Sequence, residues 1–118
     1  MNLEDFYKKI NGDYDDVLSR LLHENRIIRF VRNFADDTTF IELTLAVDGK
    51  RCNEIFRSAH TLKGISATLG FTDLCRVCSL LTEYLRDNDS PNMSKVEILY
   101  DTIQKDVQEI YDYLPYIR

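Results

Sequence analysis

Three residues in the middle of the chain could do chemistry together: His60, Lys63 and Gly64, within "AHTLKGISATLG" (59–70). Imidazole exchanges protons near neutral pH and can act as a general base, a metal ligand or a nucleophile that carries a group covalently. General base work needs a substrate cleft, and Thr61, the nearest hydroxyl, points elsewhere on a helix. A metal site needs further His or carboxylate ligands on the same face, and an ammonium at 63 is a poor neighbour for a cation. A covalent phosphoryl group fits better, because Lys63 one turn on would offset its negative charge. Gly64 costs about 1 kcal/mol relative to alanine inside a helix. Either another helix packs very close there, or something outside must approach the backbone beside His60.

The face assignment favours the second reading. The spacing predicts a helix from about Arg51 to Leu69, with Ile55, Phe56, Ala59, Leu62, Ser66 and Leu69 pointing inward. His60 lies roughly 100° round from that stripe, and Lys63, Gly64 and Ala67 follow it on one face. Gly70 suits the left-handed position that closes the helix. The chain turns there, so the next helix runs back and brings position 81 or 82 level with His60. Leu81 reads as core, which leaves Thr82 and Glu83 to orient the imidazole.

The remaining elements are also helical. An amphipathic start, "LEDFYKKI", precedes Asn11-Gly12. Asp13 caps a helix carrying Val17, Leu18, Leu21 and Leu22, continued from Glu24 to Phe34 after a kink near His23 to Asn25. Asp37-Thr38 opens a helix with Phe40, Ile41, Leu43, Leu45 and Val47, ended by Asp48-Gly49. Thr72 caps a helix to about Arg86 on Leu74, Val77, Cys78, Leu81 and Leu85. After the loop "DNDSPNMS", Ser94 and Glu97 resemble a capping box for a last helix to about Leu114. The expected fold is all-α: an up-down antiparallel four-helix bundle with additional short N-terminal helices, one domain over residues 1–118.

The stretch "FRSAHTLKGISATLGF" resembles the central motif of histidine-containing phosphotransfer (HPt) domains. That motif is a histidine followed by lysine at +3, glycine at +4 and a leucine-glycine pair at +9 and +10, here His60, Lys63, Gly64, Leu69 and Gly70. The layout of the flanking helices is similar too, from roughly Asp13 to Asp112. The resemblance implies that His60 accepts a phosphoryl group, Lys63 stabilises it and Gly64 admits the partner. Partners would be response-regulator receiver domains and a sensor histidine kinase, with Mg²⁺ on the receiver and no cofactor of the chain's own. The chain would be a carrier, not a kinase. Many family members place a glutamine against the imidazole; this sequence offers Thr82 and Glu83 instead. Phe56, Ile65 and Ala67 are the expected docking residues.

Composition narrows the alternatives. A net charge of −5 without a basic stripe argues against nucleic acid and anionic membrane surfaces as partners. No apolar run is long enough to span a bilayer, and the acidic start "MNLEDFYKKINGDYDD" is unlike a secretory signal, so the expectation is a cytoplasmic protein. The starting methionine and single-domain length point to a free-standing one. Cys52, Cys75 and Cys78 are odd in number and read as reduced; Cys75 and Cys78 fall on or near a core stripe as small buried hydrophobes rather than a metal or redox pair. His23 reads as structural. The competing function is a helical adaptor that binds a receiver or helix without accepting phosphate.

Overall fold

A computed structural model describes all 118 residues as helices joined by short turns, with no strand. They are α1 (Leu3–Lys9), α2 (Tyr14–Leu21), α3 (Glu24–Phe34), α4 (Thr39–Asp48), α5 (Cys52–Leu69), α6 (Thr72–Leu85) and α7 (Met93–Tyr113), followed by a 3₁₀ turn, Leu114–Tyr116. Helices α4 to α7 form the bundle: α5 packs against α4 and α6, and α7 closes it against α6 and α4. Helix α3 lies along α5, α2 along α3, and α1 against α2. No helix is long and apolar enough to cross a membrane.

The motif helix α5 follows its apolar spacing. Ile55, Ala59, Leu62, Ser66 and Leu69 are buried, whereas Phe56 is half-buried at the edge of the stripe. Ser66 is tolerated inside because its hydroxyl donates to the Leu62 carbonyl at 2.7 Å, leaving no polar atom without a partner.

Local signals set the other boundaries, with three departures from expectation. Asp13 does cap α2, accepting from the Asp16 amide at 3.0 Å. The expected kink at 23–25 is a full break: Leu22 is left-handed (φ 69°) and His23 extended, so α2 and α3 are separate helices. Thr72 is the first residue of α6, not its cap; that place belongs to the buried Phe71, whose side chain anchors the turn. The cap of α7 is Asn92, which accepts from the Ser94 amide, so Ser94 sits inside the first turn. On α4, Leu43, Ala46 and Val47 are buried but Ile41 and Leu45 face outward. Ile41, Leu43, Leu45 and Val47 recur at every second residue, and a helix cannot turn all four to one face.

The N-terminal helices close the end of the bundle where α5 turns into α6. Phe6, Tyr7, Phe34 and Phe71 form an aromatic cluster there, with edge-on pairs such as Phe34–Phe71 at 5.3 Å between centroids. The Tyr7 hydroxyl donates to the Leu69 carbonyl, and burial pushes its ionisation well above the ordinary range. The Asp13 amide donates to the Gly70 carbonyl at 2.9 Å. The chain ends meet at the same place: the Met1 ammonium donates to the Tyr116 carbonyl at 2.6 Å, and the Arg118 amide donates to the Met1 carbonyl at 3.0 Å.

Candidate functional site

His60 projects from the solvent side of α5, with Gly64, Ala67 and Thr68 exposed beyond it and Lys63 half-buried beside them. Lys63 forms no ion pair, so its ammonium is uncommitted one turn from the imidazole. A Cβ built on Gly64 would meet nothing within 4 Å. Close helix packing therefore does not explain the glycine. The backbone beside His60 is open to solvent.

Grooves flank this open strip on both sides. One, of about 520 Å³, runs between α3 and α5 and is lined by Phe30, Phe34, Thr61, Gly64, Ile65 and Thr68 among others. The other, of about 430 Å³, lies between α5 and α6 with α2 at its rim, and includes Lys63, Ala67, Cys75, Arg76, Ser79 and Leu80. Each holds an exposed large apolar side chain, Phe30 at 43% and Leu80 at 52%. Of the expected docking residues, Ile65 lines the first groove and Ala67 the second. Phe56 lines neither; its ring lies parallel to the His60 imidazole, with centroids 6.2 Å apart. Phe30 and Leu80 were not legible in the sequence, because each adjoins an inward stripe and only the packing of α3 and α6 on α5 leaves it outside. The signal available was their place one residue off that stripe.

The geometry of α6 changes the expectation for Thr82 and Glu83. Neither makes a hydrogen bond with His60. Thr82 is buried, and its hydroxyl donates to the Cys78 carbonyl at 2.8 Å within its own helix. Glu83 is exposed and accepts from the Arg86 guanidinium at 3.2–3.4 Å. The antiparallel register holds, but at position 82 it brings the inner face of α6 level with the histidine.

The cysteines stay apart from the site's chemistry. Cys78 is buried, and burial pushes its thiol up, far from a reactive thiolate. Cys75 is half-buried in the α5–α6 groove, and the Cys52 sulfur contacts Met93 Sδ at 3.9 Å. No group of three or more His, Cys, Asp or Glu side chains converges as a metal site would require. His23 stands exposed at the α2–α3 break.

The family model described as Hpt domain matches residues 28–113. The chain belongs to the Hpt-domain family. The match begins later than the resemblance at Asp13 suggested, leaving α1, α2 and the first turn of α3 outside it. Among curated proteins, the chain is similar to the chemotaxis protein CheA of Bacillus subtilis, 43% identical over 67 residues that make up 51% of this chain and 10% of that protein. It is also similar to multistep phosphorelay regulator 1 of Schizosaccharomyces pombe, 32% identical over 80 residues, 65% of this chain and 27% of that protein. The chain thus spans a small part of these relatives. No solved structure matches it. Membership gives the chain a histidine phosphotransfer role, which in this family is that of a carrier rather than a kinase.

Proposed function

We propose that the chain carries a phosphoryl group on His60 and exchanges it with the aspartate of response-regulator receiver domains, in a relay begun by a sensor histidine kinase. The Nε2 lone pair forms the N–P bond as the P–O bond to the aspartyl carboxylate breaks. The electron pair leaves with the carboxylate, and the reverse step returns the group. Mg²⁺ belongs to the receiver in this scheme. This chain contributes a placed nucleophile and the uncommitted charge of Lys63. The observation that carries the reading is the open backbone at Gly64 beside an exposed His60, flanked by two grooves with apolar residues.

The test is transfer from a phosphorylated receiver to the purified chain. The expected product is an acid-labile, base-stable phosphate that is absent from His60→Gln. Uptake by His60→Gln equal to wild type refutes the site. Binding of the receiver with no uptake by wild type establishes the adaptor instead.

A further inference from the structure

The imidazole of His60 has no hydrogen bond, yet it is not without a neighbour. Phe56, one turn earlier on α5, lays its ring parallel to it within 2°. That ring in turn carries the Arg86 guanidinium, whose carbon stands 5.3 Å over its centroid. Arg86 ends α6, its amide bonded to the Thr82 carbonyl at 3.0 Å, and Glu83 holds its side chain by both Nε and NH2. The register that levels 82 with 60 also levels 86 with 56, so the stack is built across the α5–α6 pair.

We propose that Phe56, backed by the Arg86–Glu83 pair, is the positioning residue that sets the plane of the His60 imidazole, in the place of a hydrogen bond from the neighbouring helix. This rests on His60 being the phosphoryl acceptor. The torsion that turns an imidazole about its Cβ–Cγ bond is broad, so an exposed histidine does not hold one plane unaided. A flat neighbour on the ring face restrains that rotation. The nitrogen lone pair lies in the ring plane, so a partner stacked on the face leaves Nε2 open to in-line approach. A hydrogen bond at Nδ1 would also fix the tautomer; the stack fixes the plane alone. The guanidinium over Phe56 fixes that ring by attraction to its face.

The test combines NMR of the His60 ring with single-turnover transfer from a phosphorylated receiver, in the full chain. The wild-type ring protons are expected to show an aromatic ring-current shift that Phe56→Leu removes and Phe56→Tyr keeps. Phe56→Leu is expected to slow transfer at saturating receiver roughly tenfold, as loss of a near-attack geometry does, with receiver affinity changed less than about twofold. Phe56→Tyr restores the rate, and Arg86→Gln gives a smaller loss of the same kind without removing core packing. Three results overturn the proposal. One is an unchanged rate in Phe56→Leu. Another is a loss confined to receiver affinity, which would make Phe56 a docking contact. The third is a greater loss in Glu83→Ala with the ring-current shift intact, which would assign orientation to a direct hydrogen bond. Should Phe56→Leu fail to fold, Arg86→Gln and Phe56→Tyr decide by the same readouts. Phosphoramidate, which phosphorylates accessible imidazoles without a receiver, separates the two levels. Wild type that takes no phosphoryl from either donor refutes the acceptor reading and the proposal with it. Wild type that reacts, with variants equal to it, refutes the positioning role alone.

Discussion

Gly64 and Gly70 lie six residues apart on one helix and serve opposite ends. Gly70 is left-handed (φ 72°), and a Cβ there would stand 2.9 Å from the Asp13 carbonyl oxygen and 3.3 Å from the Tyr7 ring. Gly64 has ordinary helical backbone and empty space around it. The first glycine is required by the fold, since the turn and the docked α1–α2 segment leave room for nothing else. The second is a cost to the helix that the fold gives no reason for. A glycine whose absent side chain leaves open space points outward, to whatever must arrive.

The largest expected effect comes from breaking the crowded end. Gly70→Ala combines a strained left-handed backbone with contact against Asp13, and should cost at least about 2 kcal/mol. Thermal melting should show a drop of roughly 10 °C; a melt equal to wild type would show that α1 and α2 yield easily.

Gly64→Gln should do the reverse. It gains about 0.5–1 kcal/mol of helix preference, so melting temperature holds or rises. Transfer from a receiver slows about tenfold, as the side chain obstructs approach. Unchanged transfer would remove the functional half of the contrast.

Lys63→Ala sharpens the open stretch further. Two unit charges about 4 Å apart in water are worth about 1 kcal/mol, so the phosphohistidine half-life should shorten about fivefold while the melt is unchanged. Equal half-lives in the two proteins would deny Lys63 its electrostatic role.

The smallest effect belongs to the crowded end. Asp106 is half-buried beside Asp73 and Glu109; burial first and these carboxylates second raise its pKa, against the opposing pull of Arg76. A carboxylate raised on folding binds its proton more tightly in the folded state, so it weakens the fold when ionised. Asp106→Asn should therefore stabilise the chain at neutral pH by up to about 0.5 kcal/mol. The gain should close as pH falls through the ordinary carboxylate range, where both states are protonated. A gain that persists in acid would point to packing instead.

The same contrast separates what could be read from the sequence from what could not. The motif helix, its inward stripe and the left-handed Gly70 follow from spacing within one segment, and the structure reproduces them. So does the bundle, because each later helix carries its own apolar stripe. What escaped depends on neighbours. Whether Gly64 was crowded could not be known without the position of α3. The partners of Thr82 and Glu83 depended on the rotation of α6 about its axis, not on its register. The sequence divides Phe56 between core and docking surface, and its place against the imidazole appears only once Arg86 comes round from the next helix. The break at Leu22 was masked by apolar spacing that runs through it, since periodicity does not report a left-handed residue.

The joined chain ends have a consequence for how this fold tolerates cutting and splicing. Met1 and Tyr116 are within hydrogen-bond distance at the Gly70 end, whereas the exposed connection between α6 and α7 lies at the other. The fold is in effect circular, and a linker of a few residues between the ends should allow new termini to be opened between Asp87 and Asn92. His60 sits about ten residues along α5 from the joined ends, or roughly 15 Å of helix rise. A tether or a fused domain attached there would thus leave the open strip clear, so the bundle can be mounted from one end and read from the side.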